Sequence, residues 1–238
     1  MKSLKLLGVV LSAYAVVFAA GLVIQKNPDD ARAGINQAAL ARENKSAELP
    51  ASTPAANRYR LDASRSKFIA RALAGGLLWF KGHDHLVAVR EFTGEARLDP
   101  DSLSGSSLEI IAKAASMEET SSAFTEPQKQ IINKELREIV LLPEQYPDIT
   151  FRSTNVSGKS VSANQYDLKI VGNLTLLGVT RPVTIPTKVT VSGNELRAQG
   201  EFSIDRSDYK VKATSAFHGM VRVRQRIKFE FDIVGQRP

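Results

Sequence analysis

The stretch VRVRQRIKFEFDI, Val221 to Ile233, decides the fold. Val221, Val223, Gln225, Ile227, Phe229, Phe231 and Ile233 occupy one side of the alternation. Arg222, Arg224, Arg226, Lys228, Glu230 and Asp232 occupy the other. Only an extended chain sends successive side chains to opposite faces. At ~3.3 Å per residue the run reaches roughly 40 Å, about twice an ordinary strand. Strands of that length suit a curved or closed sheet.

The same alternation recurs upstream. Phe92, Gly94, Ala96 and Leu98 form one row, and Leu108, Ile110, Ala112 and Ala114 another. A strand begins at Ile149, Phe151 and Ser153. Leu168 to Leu176, Val183 to Val191 and Leu196 to Ile204 continue the pattern. Turn-forming stretches separate the rows: LDPDSLSG, VSGKS, LLGVTRP and VSGNE. With NRYRLDA and SKFIARAL at the start, about eight or nine strands are expected. Short connections make them antiparallel. One segment departs from period two. EPQKQIINKELREIVLL, residues 126–142, places Ile131, Ile132, Leu136, Ile139 and Val140 at helical spacing. Pro127 stands near its start and Pro143 at its end, so one amphipathic helix is expected over an open end or flank of the sheet.

The inward rows mix very large and very small residues. Phe92, Phe151, Phe202, Phe229 and Phe231 share their faces with Gly94, Ala96, Ala112, Gly172, Ala198 and Gly200. An eight-stranded barrel can leave room for one ligand, and small inward residues reduce its filling. The expectation is a cavity lined by Phe92, Phe151, Leu174, Phe202, Phe229 and Phe231, suited to a long apolar molecule.

Composition removes several alternatives. The 238 residues carry a formal charge of +7 and no cysteine. Disulfides, thiolate metal sites and cysteine nucleophiles are excluded. Residues 1–25 open with Lys2 and Lys5, followed by an uncharged apolar run from Leu6 to Ile24. This reads as a signal peptide or a retained signal anchor. The expected location is the periplasm, with inner-membrane association through residues 1–25 if the segment is retained. Export argues against nucleic acid as partner, despite the positive charge. Residues 26–57 are rich in Ala, Asn, Ser and Pro and read as a flexible linker. Residues 58–238 form the folded domain.

Within that domain, YDLKIVGNLTLLGVTRPVTIPTKV (166–189) resembles the strand–turn–strand signature of the YceI-like family. LPEQYPDITFRSTNV, FTGEARLDP and FSIDRSDYKV resemble three further segments of that family, and the likeness covers about residues 58–236. Residues 82–85, Gly-His-Asp-His, resemble a Gly-His-x-His subgroup. The resemblance implies an all-β, lipocalin-like antiparallel eight-stranded barrel with one amphipathic helix, preceded by the signal or anchor helix. It implies a binding protein rather than an enzyme, with no cofactor. The implied partner is a polyisoprenoid or other long-chain amphiphile held in the barrel. A homodimer is compatible with the sequence.

Three histidines complete the inventory: His83, His85 and His218. They are expected as polar ligand contacts at the cavity mouth. The alternative is a metal site or metalloenzyme, because two histidines at i, i+2 on a strand point the same way. Arg222, Arg224 and Arg226 form a solvated strand face, or edge the cavity and meet a phosphate.

Overall fold

The computed structural model describes residues 57–212, 215–216 and 220–238. The signal or anchor segment, most of the linker and His218 lie outside the described residues. Among the described residues there are eleven strands: β1 (Asn57–Gly75), β2 (His85–Val89), β3 (Phe92–Leu98), β4 (Ser107–Lys113), β5 (Met117–Glu119), β6 (Asp148–Ser162), β7 (Gln165–Leu176), β8 (Val179–Ser192), β9 (Glu195–Asp205), β10 (Ser215–Ala216) and β11 (Val221–Gln236). Eight of them close a barrel. β1, β3, β4, β6, β7, β8, β9 and β11 pair antiparallel in that order, and β11 returns to β1. β2 pairs with the upper half of β1, and β5 pairs with β2, so the wall extends past the barrel at one end.

The first strand differs from expectation. NRYRLDA and SKFIARAL are one strand of 19 residues, interrupted by a bulge between Asp62 and Lys67. Ser66 holds the bulge together. Its hydroxyl donates to the Asp62 carbonyl at 2.5 Å and accepts the Val234 N–H at 2.9 Å. The extra residues re-aim the strand, so that Phe68, Ala70 and Ala72 face the interior.

Alternation governs the rest. Along β7 the even positions Tyr166, Leu168, Ile170, Gly172, Leu174 and Leu176 are buried, while Asp167, Lys169 and Asn173 are exposed. Charges on the outer face pair across strands: Arg197 with Asp232, Arg152 with Glu109 at 2.7 Å, and Lys228 with Glu201 at 2.7 Å. Such exposed pairs are worth little each. Tight turns join the hairpins. Leu177 and Gly178 both have positive φ (49° and 71°), the two-residue turn whose twist matches antiparallel strands. The helix α1 (Glu126–Glu135) starts at Thr125, whose N–H is accepted by the Gln128 side chain at 2.8 Å. It widens into a π turn over Leu136–Leu141 and stops at Leu142, φ 49°. Ile132, Leu136, Val140 and Leu141 face the barrel interior, whereas Ile131 and Ile139 are exposed on the outer side. Among the described residues no helix is long and apolar enough to cross a membrane.

Candidate functional site

The barrel is hollow. Its inward rows enclose a cavity of about 260 Å³, just below the usual range for ligand pockets, ~300–1,000 Å³. Its wall is almost entirely aliphatic and aromatic. Phe68, Phe202, Phe229 and Phe231 pack against the buried core cluster and keep partial accessibility, because their rings border that space. Phe202 stacks on Phe229 with centroids 4.8 Å apart, and Phe68 meets Phe229 and Phe231 edge-on at 6.1 and 6.3 Å. The mid-barrel hydroxyl of Thr187 is satisfied by the Ile185 carbonyl at 3.3 Å.

The small inward residues act differently from expectation. Gly172 and Gly200 do not themselves leave the space empty. The Phe151 ring lies over Gly172, where an added Cβ would come within 2.7 Å of its Cε2. The Phe231 ring lies over Gly200 in the same way, 2.7 Å from the position of an added Cβ. Each glycine lets a phenyl ring lie back against the wall, and the lumen opens in front of the ring. Gly94 is covered instead by the Leu61 side chain.

Five of the expected lining residues, Phe151, Leu174, Phe202, Phe229 and Phe231, border the cavity. Phe92 does not. It is buried and meets Phe68 edge-on at 6.4 Å, so Phe68 holds the lumen position. Phe68 was legible only as part of an alternating row, since the bulge at residues 62–67 obscures which face it takes.

Polar residues join the lining at both ends: His85, Glu135, Arg206 and Lys212 at the helix-bearing end, and Arg97, Ser106 and Ser107 at the other. His85 is half-buried. Its ring stacks on Phe124 (5.1 Å, 20°), and its Nδ1 lies 2.8 Å from Oε2 of Glu119. The Glu119 side chain is fully buried. Burial alone would raise its pKa, but the bonds from His85, the Ser121 N–H (2.8 Å) and the Leu86 N–H (3.0 Å) outweigh that and hold it below the ordinary carboxylate value. An ionised carboxylate only accepts, so Nδ1 carries the proton and Nε2 is left as the second polar edge of the ring. In the neutral ring that edge accepts a hydrogen bond; in the protonated ring it donates one. Glu119 lies 34 residues from His85 in sequence, and no spacing rule points to it.

A stability prediction follows from Glu119. A carboxylate held below its unfolded pKa, about 4.3, stabilises the fold above that pH and loses its contribution as pH falls through the folded value. Glu119→Ala strands two backbone N–H groups and His85, and should cost roughly 2–4 kcal/mol at neutral pH in denaturant titrations. Its stability should also fall less than the parent chain's between about pH 5 and pH 2. An unchanged acid limb would remove Glu119 from the account.

His83 precedes β2 and is exposed. It meets the Phe124 ring edge-on at 5.6 Å and does not line the cavity. The two histidines therefore share an aromatic neighbour rather than one strand face. Asp84 accepts the Ala74 N–H at 3.0 Å and orients neither imidazole. Among the described residues no group of three His, Cys, Asp or Glu is placed to hold a metal ion. Of the three strand arginines, Arg224 donates to the Ala74 carbonyl at 2.9 Å and Arg226 lies opposite Asp205. None of the three lines the cavity.

The profile of the YceI-like domain matches residues 59–235. A UPF0312 protein of Yersinia enterocolitica is 28% identical over 120 residues, which span 50% of this chain and 54% of that protein. The chain thus aligns with about half the length of that relative. Two solved structures share the fold. BcnA of Burkholderia cenocepacia superposes with a TM-score of 0.57 at 21% identity, covering 73% of this chain and 98% of its own. A polyisoprenoid binding domain from Saccharophagus degradans superposes with a TM-score of 0.51 at 12% identity, covering 76% of this chain and 98% of its own.

Proposed function

We propose that this chain, which belongs to the YceI-like family, is a binding protein that holds one long apolar chain in its barrel and keeps the polar head at the mouth. The observation that carries the reading is the apolar, aromatic-walled cavity of about 260 Å³ inside the closed barrel. The solved neighbour from Saccharophagus degradans supports a polyisoprenoid as the class of guest. The head group then lies among His85, Glu135, Arg206 and Lys212, which border the cavity at the helix-bearing end.

In this reading Phe68, Phe151, Leu174, Phe202, Phe229 and Phe231 contact the tail. His85 contacts the head through Nε2: it accepts from an alcohol when neutral and donates to a carbonyl or phosphate oxygen when protonated. The subgroup assignment from Gly82-His83-Asp84-His85 and a periplasmic site of action, reached through residues 1–25, belong to the same proposal. So does a carrier or sequestering role in lipid or quinone handling.

Titration of the delipidated chain with linear prenols of increasing length is the test. Each buried CH₂ contributes about 0.8 kcal/mol, so two further carbons should tighten binding roughly tenfold until the lumen is full. Stoichiometry should be one per barrel. Affinity independent of tail length would contradict the reading.

A further inference from the structure

The hairpin tip between β1 and β2 is apolar and points into solvent. Leu77, Trp79 and Phe80 are 77%, 56% and 63% exposed, and Met220 beside them is 39% exposed. These are large side chains on consecutive turns of one loop, an arrangement that hydrophobic burial cannot account for within the domain.

The tip is built as an ordered platform. The Leu78 N–H donates to the Met220 carbonyl at 2.9 Å, and Lys81 and Gly82 close a 3₁₀ turn on the carbonyls of Leu78 and Trp79. Gly82 lets the loop lie directly on its support, since an added Cβ would come within 2.8 Å of Val221 and 3.0 Å of Ala74. Asp84 anchors the far end through the Ala74 N–H. Four cations surround this platform and the adjoining mouth. Lys81 follows Phe80, Arg222 and Arg224 occupy the supporting strand, and Lys212 stands on the cavity rim. No described carboxylate lies within ion-pair distance of any of the four.

We propose that the Leu77–Lys81 tip is a membrane-docking element that inserts Trp79 and Phe80 into the head-group layer of an anionic bilayer. Tryptophan favours that layer because its ring is apolar and its N–H is polar. The surrounding cations meet anionic head groups and repel a second copy of the same surface, which favours a bilayer over a self-association face. β1, which leads into the tip, and β11, which supports it, also supply Ala72 and Val223 to the cavity lining. Docking would therefore bring the mouth of the barrel to the layer from which an apolar chain is taken. That consequence rests on the binding reading above; the docking itself does not.

Trp79 is the only tryptophan in the chain, so its emission reports on this tip even where another segment of the full-length protein holds it on a vesicle. The full chain is mixed with vesicles of phosphatidylcholine and phosphatidylglycerol, with and without acyl-brominated phosphatidylcholine. A blue shift and quenching by the brominated lipid are expected. Lys81→Gln, which removes one cation, should shift the equilibrium away from the inserted tip about fivefold. The pair Leu77→Ser and Phe80→Ser should abolish quenching at unchanged thermal stability. Unquenched, unshifted emission on vesicles that carry the protein would overturn the proposal. A blue shift without vesicles that grows with protein concentration would also overturn it, assigning the tip to a second copy of the chain. Failure here leaves prenol titration unaffected, and failure of that titration leaves quenching unaffected.

Discussion

Replacing Ala198 by tryptophan is expected to weaken uptake of a linear prenol at least tenfold while the barrel stays folded. Ala198 sits on β9, opposite Val189 of β8 and Ile233 of β11, with its methyl group on the lumen side. It keeps partial accessibility because it faces the cavity rather than a packed core. An indole there occupies a large part of about 260 Å³ that the guest needs. Overpacking a tight core costs about 1–3 kcal/mol, but here the new ring has empty space to enter. The stability loss should therefore be small and the binding loss large. Lys188→Trp is the matched control. Lys188 is exposed on the outer face of β8, across from Gln199, so the same side chain there should leave uptake unchanged. Equal binding by Ala198→Trp and the parent chain would mean that the guest lies elsewhere.

The second large effect is on stability. Gly200→Ala should cost roughly 2–3 kcal/mol and lower Tm by about 5–10 °C in calorimetry. The new methyl group meets the Pro186 carbonyl on one side and comes within 2.7 Å of the Phe231 Cζ on the other. The backbone cannot easily yield, because Gly200 pairs with both Thr187 and Phe231 in the ladder. The ring can yield, but only by swinging into the lumen. Gly200→Ala should therefore also narrow the cavity and weaken uptake. Phe231→Leu in the same chain removes the clash with the ring and should restore part of the lost stability. A double-mutant cycle should give a coupling of about 1 kcal/mol or more. Strict additivity would show that the ring does not rest on the glycine.

Period-two alternation made most of the barrel wall legible, because the pleat allows only two directions for a side chain. β7, β8, β9 and β11 follow their rows as read, and five of the six expected apolar lining residues are on the cavity. The first strand was harder. A bulge at residues 62–67 breaks the count of two, so one long strand reads as two and the inward position of Phe68 is lost. Helical spacing placed α1 correctly but could not divide its apolar residues between two sides. Ile131 and Ile139 face out where Ile132, Leu136 and Val140 face in. The glycines were read as absent volume, whereas their role is to seat Phe151 and Phe231. That role depends on contacts across strands. The mouth was the least legible part. His85 could be singled out as a histidine, yet its partner Glu119 is brought to it only by the pairing of β2 with β5.

The central claim is that the lumen carries a long apolar chain in the cell. Native mass spectrometry of the full chain, extracted gently from its own host, tests it most directly. The account predicts one bound chain-like lipid per barrel, released on unfolding and absent from Ala198→Trp prepared in the same way. Parent protein that emerges at its bare mass, or with the same adduct as the blocked variant, would contradict it.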